Sequence, residues 1–434
     1  MEYNAIELLS QYIRIDTTNP PGNEAPAAKF FEEILKREGI SFKTYESSPN
    51  RASIRGIIQG KGKHKPLLLM SHMDVVPADK TEWSFDPFGG EVIDGHICGR
   101  GTLDTKGLGI MQLMVFLELK EKAAQLNRDV IFLAVADEET GGSEGAGYLM
   151  ENHFDDFDAG LVINEGGFGI EDMIPGTPVM MISSSEKGIC WLRLKRKGIP
   201  GHGSAPHDQN PLERLILALD KLMKERGGIE IVPVVGDYFA NMAKGWDFLS
   251  PYLENRDPEV LVKILLETGL HSIPQIGAMV KNTISVNKMS AGIKTNVIPG
   301  YAEAEIDVRL LPGQDVSETI NRIKTILDDD QIEIEIITSC NASESPNDSD
   351  YYRLISDCME KHYENTIVTP FLLSGTTDSR FFRERGIDSY GILPVLMKQE
   401  SVSSIHGIDE KIKTSEFLKG IDVLRDIVSA ICLD

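Results

Sequence analysis

The 434-residue sequence predicts an α/β fold with a mostly parallel central sheet and a smaller α+β domain inserted into it. Three observations predict this. Strand-like and helix-like segments alternate through the first 185 residues, the pattern changes near residue 187 to in-and-out alternation, and a polar, turn-rich run at 340–349 leads back to helix and apolar strand. The expected limits are 1–186 and 340–434 for the first domain and 187–339 for the inserted one, with a further insertion near 235–282.

In chain order, residues 26–38 have helical periodicity, and the apolar run 66–70 leads straight into Ser71-His72. A helix-like run covers 109–125, followed by the buried-strand pattern 129–136, a helix near 144–152 and a strand at 159–163. Beyond 187, residues 189–196 alternate as a half-exposed antiparallel strand should. Residues 211–225 form an amphipathic helix opened by proline. Segments 300–310 and 331–338 alternate again, with a helix at 317–327 between them. The 235–282 segment is mixed and partly helical, 351–363 is helical, and 390–394 suits a last core strand.

A hydrophobic content of 41% with 26% charged residues indicates a globular chain, and its length favours two domains. The net charge of -23 argues against nucleic acid as a partner, because phosphate binding needs clustered Lys and Arg. Cys98, Cys190, Cys340, Cys358 and Cys432 form no C-x-x-C pair, so neither a disulfide framework nor a thiolate metal site is expected. The N-terminal residues lack a basic, apolar leader and no run of apolar residues suits a membrane span, so the expected setting is cytoplasmic with no membrane partner.

Chemistry gathers where strands end. In an extended Ser71-His72-Met73-Asp74, His72 and Asp74 point the same way, which suits an imidazole whose second N–H is taken by a neighbouring acid. Gly99-Arg-Gly-Thr-Leu-Asp104-Thr-Lys-Gly107 surrounds one carboxylate with three glycines. It resembles a dinucleotide loop, but Asp104 would repel a pyrophosphate and suit a cation. Asp137-Glu138-Glu139 follows an apolar strand, where consecutive acids are costly without a compensating cation. Of two such neighbours, one can bind a metal while the other takes a proton from its water. Glu165 repeats that logic, and His406 adds a late imidazole. Taken together, His72, Asp104, Glu139, Glu165 and His406 suit a pair of zinc-like ions sharing one carboxylate. Gly141-Gly-Ser143-Glu-Gly145 matches the serine-hydrolase G-x-S-x-G pattern, but that elbow needs the strand to run into the serine, and Asp137 to Thr140 intervene.

These segments resemble the di-zinc family of aminoacylase, acetylornithine deacetylase, succinyl-diaminopimelate desuccinylase, carnosinase-type dipeptidases and glutamate carboxypeptidase. The likeness spans nearly the whole chain through His72-x-Asp74-x-Val76-Pro77, Trp83…Pro87-Phe88, Gly99-Arg-Gly…Asp104-x-Lys-Gly107, Glu138-Glu139, Asn164-Glu165-Gly, Gly201-His202-x-Ser204-x-Pro206 and His406.

The resemblance implies a zinc-exopeptidase-like catalytic domain and a lid that also serves dimerisation. It implies two divalent ions, zinc foremost with cobalt or manganese as alternatives. Asp104 would bridge them, His72 and Glu165 would complete one site, and Glu139 and His406 the other. Asp74 would orient His72, Glu138 would be the general base, and the Asp104–Thr105 peptide would be cis. His202 would polarise the substrate carbonyl, from its own subunit or a partner. Asn296 and Arg309 would hold a substrate carboxylate, with Arg380 facing the substrate beside them. The long 235–282 insertion resembles the aminoacylase and carboxypeptidase branch, and Glu165 the deacylases. The implied reaction is hydrolysis of a small-molecule amide, either an N-acyl-amino acid or a short peptide with a free carboxylate. The alternatives are a dipeptidase of the same family, a non-catalytic binding protein of this fold, and a serine hydrolase using Ser143.

Overall fold

The computed structural model describes residues 3–225, 227–246, 250–254 and 256–433. Met1 and Glu2 of the N-terminal stretch, and positions 247–249 and 255 of the 235–282 segment, lie outside the described residues.

A nine-stranded sheet organises most of the chain. Its strands run in the order Ser41–Ser48, Arg51–Ile58, Val130–Val135, Leu67–His72, Leu161–Ile174, Asp388–Met397, Thr177–Glu186 and Ser343–Glu344, with Ile367–Leu373 paired alongside Thr177–Glu186. The centre is parallel: Leu67–His72 lies between Val130–Val135 and Leu161–Ile174, and the latter runs parallel to Asp388–Met397. Every residue of Leu67–His72 and Val130–Val135 is buried, as a parallel strand covered on both faces must be. Helix Lys106–Lys120 is apolar almost all round and is enclosed by helices Ala5–Ile13 and Thr414–Cys432.

A separate antiparallel sheet takes over after Glu186. Its order is Thr283–Ala291, Tyr301–Leu310, Gly188–Lys197 and Ile332–Cys340. Alternate residues of Gly188–Lys197 and Tyr301–Leu310 bury Leu192, Leu194, Ile306 and Val308 against helices Pro211–Lys224 and Val316–Leu327. Asn210 caps the first helix by accepting the Leu212 N–H, with Pro211 next in line; Asp315 caps the second through the Glu318 N–H.

Two expectations change. The 235–282 segment does not build on the small sheet: its helices Pro233–Met242, Pro258–Thr268 and Pro274–Met279 bury Val235, Phe239, Leu261 and Met279 against Ile170, Val179, Met181 and Ile367 of the large one. The strand expected at 159–163 runs on from Leu161 to Ile174, carrying Glu165 inside it. Glycine permits this, since Gly166 adopts φ +120° and Gly391 of the neighbouring strand lies so close that a Cβ there would come 1.9 Å from the Glu165 carbonyl oxygen. Strands 41–48, 51–58, 177–186, 283–291 and 367–373 and the helix Thr414–Cys432 were not foreseen. Among the described residues no helix is long and apolar enough to cross a membrane.

Gly391 therefore sets the path of the strand that carries Glu165. Gly391→Ala should destabilise the protein by roughly 1–3 kcal/mol through overpacking and weaken metal binding, as read by denaturant unfolding and metal titration. An alanine variant with wild-type values in both would show that the close approach is not needed.

Candidate metal centre

Two adjacent parallel strands end at one edge of the large sheet, where ligands of open α/β sheets collect, and the strand beside them passes the same point. His72 is the last residue of Leu67–His72, Glu138 and Glu139 form the turn after Val130–Val135, and Glu165 lies in the next strand over. Asp104 comes from the glycine turn before helix Lys106–Lys120, and His406 from the loop before strand Lys411–Lys413.

Asp104 is at the centre. Its Oδ1 lies 2.9 Å from His72 Nε2 and its Oδ2 lies 2.9 Å from His406 Nε2. Each imidazole has a second carboxylate: Glu165 Oε1 is 3.4 Å from His72 Nε2, and Glu139 Oε2 is 3.1 Å from His406 Nε2. Ligand atoms of His72, Asp104 and Glu139 lie within 4.8 Å of one another, and so do those of His72, Glu138 and Glu165. By distance alone Glu138 is thus as able to ligate as its neighbours. The Asp104–Thr105 peptide is cis.

The surroundings hold these groups in place. His72 Nδ1 donates to the Asp74 carbonyl at 2.8 Å, which leaves Nε2 facing the cluster. The Asp74 carboxylate stands further off, 3.6 Å from Nδ1. It accepts the backbone N–H of Glu138 at 3.1 Å, that of Glu139 at 3.0 Å and the Asn19 amide at 2.8 Å. Asp74 therefore orients His72 through its main chain and fixes the Glu138-Glu139 turn through its side chain. Asp137, first of the three acids, turns away to Arg51 at 2.5 Å. Glu410 is fully buried, pairs with Arg100 at 2.7 Å, and accepts the N–H groups of Gly101, Leu103 and Asp104 at 3.0, 2.7 and 3.2 Å.

The cluster has the chemistry of a cation site. Five carboxylates, of Asp104, Glu138, Glu139, Glu165 and Asp378, share it with two imidazoles, and Glu139 Oε1 and Asp378 Oδ2 are buried with no hydrogen-bond partner. Burial pushes Glu165 up to about 7 and Asp378 up to about 8, and lifts Glu138 well above the carboxylate range with help from Glu165. Burial works against a charged His72, yet Glu165, Asp104 and Asp74 raise it well above its ordinary value. The hydrogen bonds that His406 donates to Asp104 and Glu139 raise it to about 10. Divalent cations would relieve all of these at once, so the residues fit such an ion.

A cavity of about 790 Å³ opens over the cluster between the two sheets, lined by Glu138, Glu139 and His406 on one side and Trp191 and Arg309 on the other, with Arg380 nearby. Arg309 pairs with Asp307 at 2.7 Å and lies 5.8 Å from the Trp191 ring, while Arg380 donates to the Gly141 carbonyl at 2.5 Å. His202 and Asn296 do not line it. They sit together on the small-sheet side, where the Asn296 carbonyl accepts the Gly203 N–H at 2.9 Å and His202 is exposed. The Ser143 hydroxyl lies 3.4 Å from Asp137, a carboxylate already held by Arg51, which is no base for a nucleophile.

Four contributors escaped the sequence reading: Asn19, Asp137 as a partner of Arg51, Asp378 and Glu410. Asp378 had a signal, since it stands two residues before Arg380, which the resemblance sets facing the substrate. Glu410 had a weaker one, an acid four residues after His406.

The raised carboxylates set a pH dependence for the metal-free chain. Glu165 and Asp378 keep their protons in the fold at pH values where the unfolded chain has lost them, so their contribution is complete below about pH 4 and is lost as pH rises through about 7 and 8. Lys106, lowered to about 7 by burial, opposes this only above that point. The thermal midpoint of metal-stripped protein should fall between about pH 5 and about pH 7, and a divalent ion should reduce the fall; a midpoint that rises across that window would contradict the assignment.

Residues 68–430 match the model of peptidase family M20/M25/M40. N-fatty-acyl-amino acid synthase/hydrolase PM20D1 of Xenopus tropicalis is 32% identical over 431 residues, covering 94% of this chain and 82% of that one. Human aminoacylase-1 is 24% identical over 444 residues, covering 99% and 96%. The crystal structure of the M20 family metallo-carboxypeptidase Sso-CP2 from Sulfolobus solfataricus has the same fold, with a TM-score of 0.75 at 22% identity over 98% of each chain. The chain belongs to peptidase family M20/M25/M40, as a metal-dependent hydrolase.

Proposed function

We propose that this chain hydrolyses the amide bond of N-acyl-amino acids, or of short peptides, that carry a free carboxylate. The carrying observation is Asp104, whose two oxygens each face a different histidine at 2.9 Å, each histidine with its own second carboxylate. That arrangement supports a dinuclear centre: His72 and Glu165 would hold one ion, Glu139 and His406 the other, and Asp104 both. Zinc suits this mixed imidazole and carboxylate set, with cobalt or manganese as substitutes.

Two such ions, when bound, supply Lewis acidity to a carbonyl and to water. The chain does the rest. Glu138 takes a proton from the attacking water and passes it to the leaving nitrogen. Asp74 keeps Glu138 and Glu139 apart in role by pinning both backbone N–H groups, so their side chains diverge from a fixed turn. Arg309 and Arg380 give the large cavity its cations, suited to the carboxylate of the substrate.

His202 acts as an oxyanion donor in this reading. The Ser204 N–H donates to its Nδ1 at 3.2 Å, so Nδ1 is an acceptor and the proton sits on Nε2. Since His202 and Asn296 do not line the cavity of their own chain, they would reach the substrate by closure of the small sheet or from a second copy of the chain in a homodimer.

Glu138→Gln should keep about the wild-type metal content and lose turnover by roughly 10²- to 10⁴-fold, measured by metal analysis and steady-state kinetics. Loss of a metal ion in that variant would make Glu138 a ligand instead. Prolonged chelation should abolish hydrolysis of N-acyl-amino acids and dipeptides, and zinc should restore it. Activity that survives chelation but not a serine-directed reagent would return the chemistry to Ser143.

A further inference from the structure

The stretch that matches the family begins at residue 68, and none of the residues proposed above to hold metal or act as base precedes it. Two buried side chains from the earlier part of the chain nevertheless reach the turn that carries Glu138 and Glu139. The Asn19 amide donates to Asp74 Oδ2 at 2.8 Å, to Thr140 Oγ1 at 3.0 Å and to Asp137 Oδ1 at 3.4 Å. Arg51, the first residue of strand Arg51–Ile58, donates from Nη2 to Asp137 Oδ1 at 2.5 Å. Its Nη1 donates to the Pro21 carbonyl at 3.1 Å and to Asn19 Oδ1 at 3.4 Å, and its Nε lies 3.1 Å from Glu24 Oε2. The backbone holds the same segment down. Asn19 N–H donates to the Val75 carbonyl at 2.9 Å, Val75 N–H to the Thr17 carbonyl at 3.1 Å, and the Thr17 hydroxyl to the Met73 carbonyl at 2.6 Å.

Asp137 is where the chain leaves strand Val130–Val135 and turns Glu138 and Glu139 toward the cluster. Its φ is +71°, a left-handed conformation that side chains other than glycine rarely adopt. Bonds from both sides hold it there: Arg51 and Asn19 from the earlier segment, the Thr140 hydroxyl at 2.5 Å and the Glu144 N–H at 2.8 Å from beyond the turn. We propose that Arg51 and Asn19 are positioning residues, a clamp that sets the direction in which Glu138 and Glu139 leave this turn. Arg51 acts through Asp137, and Asn19 acts through Asp74, which in turn holds the Glu138 and Glu139 N–H groups. The planar fork of an arginine suits the first task, because Asp137, Pro21, Asn19 and Glu24 surround one guanidinium and a lysine ammonium presents no such fork. This inference rests on the reading of Glu138 as base and Glu139 as metal ligand, and it gives the chain before residue 68 a part in the reaction.

The test compares full-length variants by zinc titration and by kinetics. Arg51→Lys keeps the charge that Glu24 and Asp137 face but loses the fork, and Asn19→Ala removes the amide. Arg55→Gln is the comparison, since Arg55 lies in the same strand and pairs with Asp156 at 2.8 Å. Calorimetric titration should show the affinity for one zinc ion weakened roughly 10- to 100-fold in Arg51→Lys and in Asn19→Ala. At saturating zinc, kcat should fall by a similar factor in both while KM stays within about twofold of wild type. Because both act on one turn, the double variant should lose little more than the worse single one. Arg55→Gln should lower the thermal midpoint and leave zinc affinity and kcat at wild-type values. Arg51→Lys and Asn19→Ala variants that lose only thermal stability, as Arg55→Gln does, overturn the clamp, and so do losses that simply add in the double variant. Should Arg51→Lys fail to fold, Asn19→Ala decides by the same two measurements. If the wild-type chain hydrolyses neither N-acyl-amino acids nor dipeptides, the proposed substrate falls, and the zinc titrations still decide for or against the clamp.

Discussion

The carboxylate of Asp104 is the constraint on which the rest of this molecule depends. One oxygen faces His72 and the other His406, residues 32 positions upstream and 302 downstream in sequence. Holding one acid between two imidazoles requires that a strand end, a glycine turn and a late loop meet at one point. The parallel centre of the large sheet brings His72, Glu138, Glu139 and Glu165 to a single edge, and the closed turn before helix Lys106–Lys120 delivers Asp104 into it. Only glycine fits where that turn meets the helix: a Cβ at Gly107 would come 2.2 Å from the Thr102 carbonyl oxygen.

Placing so many acids in one buried cluster is costly, and the structure answers the cost in two ways. Acids that are not aimed at the centre are given fixed donors: Asp74 takes two backbone N–H groups and an amide, Glu410 takes three backbone N–H groups and Arg100, and Asp137 takes Arg51. The acids that are aimed at the centre are left partly unsatisfied, as the bare Glu139 Oε1 shows. Satisfied acids hold the geometry, and unsatisfied ones leave room for cations. The same division explains why neighbours in sequence differ in role, since Asp137, Glu138 and Glu139 leave one turn in different directions.

Much of this was legible in the sequence. The strand-end positions of His72 and Glu138-Glu139 follow from apolar runs that stop abruptly at polar residues, and the glycines around Asp104 announce a tight turn. The resemblance then separated Glu138 from Glu139, which distance does not. Less visible were features that depend on partners far along the chain. Glu410 and Asn19 look like ordinary loop residues until folding sets them beside Asp104 and Asp74. Orientation was missed as well, because His72 is steered by the main-chain carbonyl of Asp74, and a main-chain group leaves no trace in residue identity. The 235–282 segment was placed by its position in the sequence, whereas the apolar faces of its helices found the larger sheet. His202 and Asn296 show the remaining limit: their pattern names them, but their place in one chain does not bring them to the cavity.

The most direct measurement is anomalous diffraction from crystals grown with zinc. Two metal peaks flanking the Asp104 carboxylate, one beside His72 and Glu165 and the other beside Glu139 and His406, are the predicted result. A single peak, or two peaks of which neither touches Asp104, would contradict the shared-carboxylate centre on which the account rests.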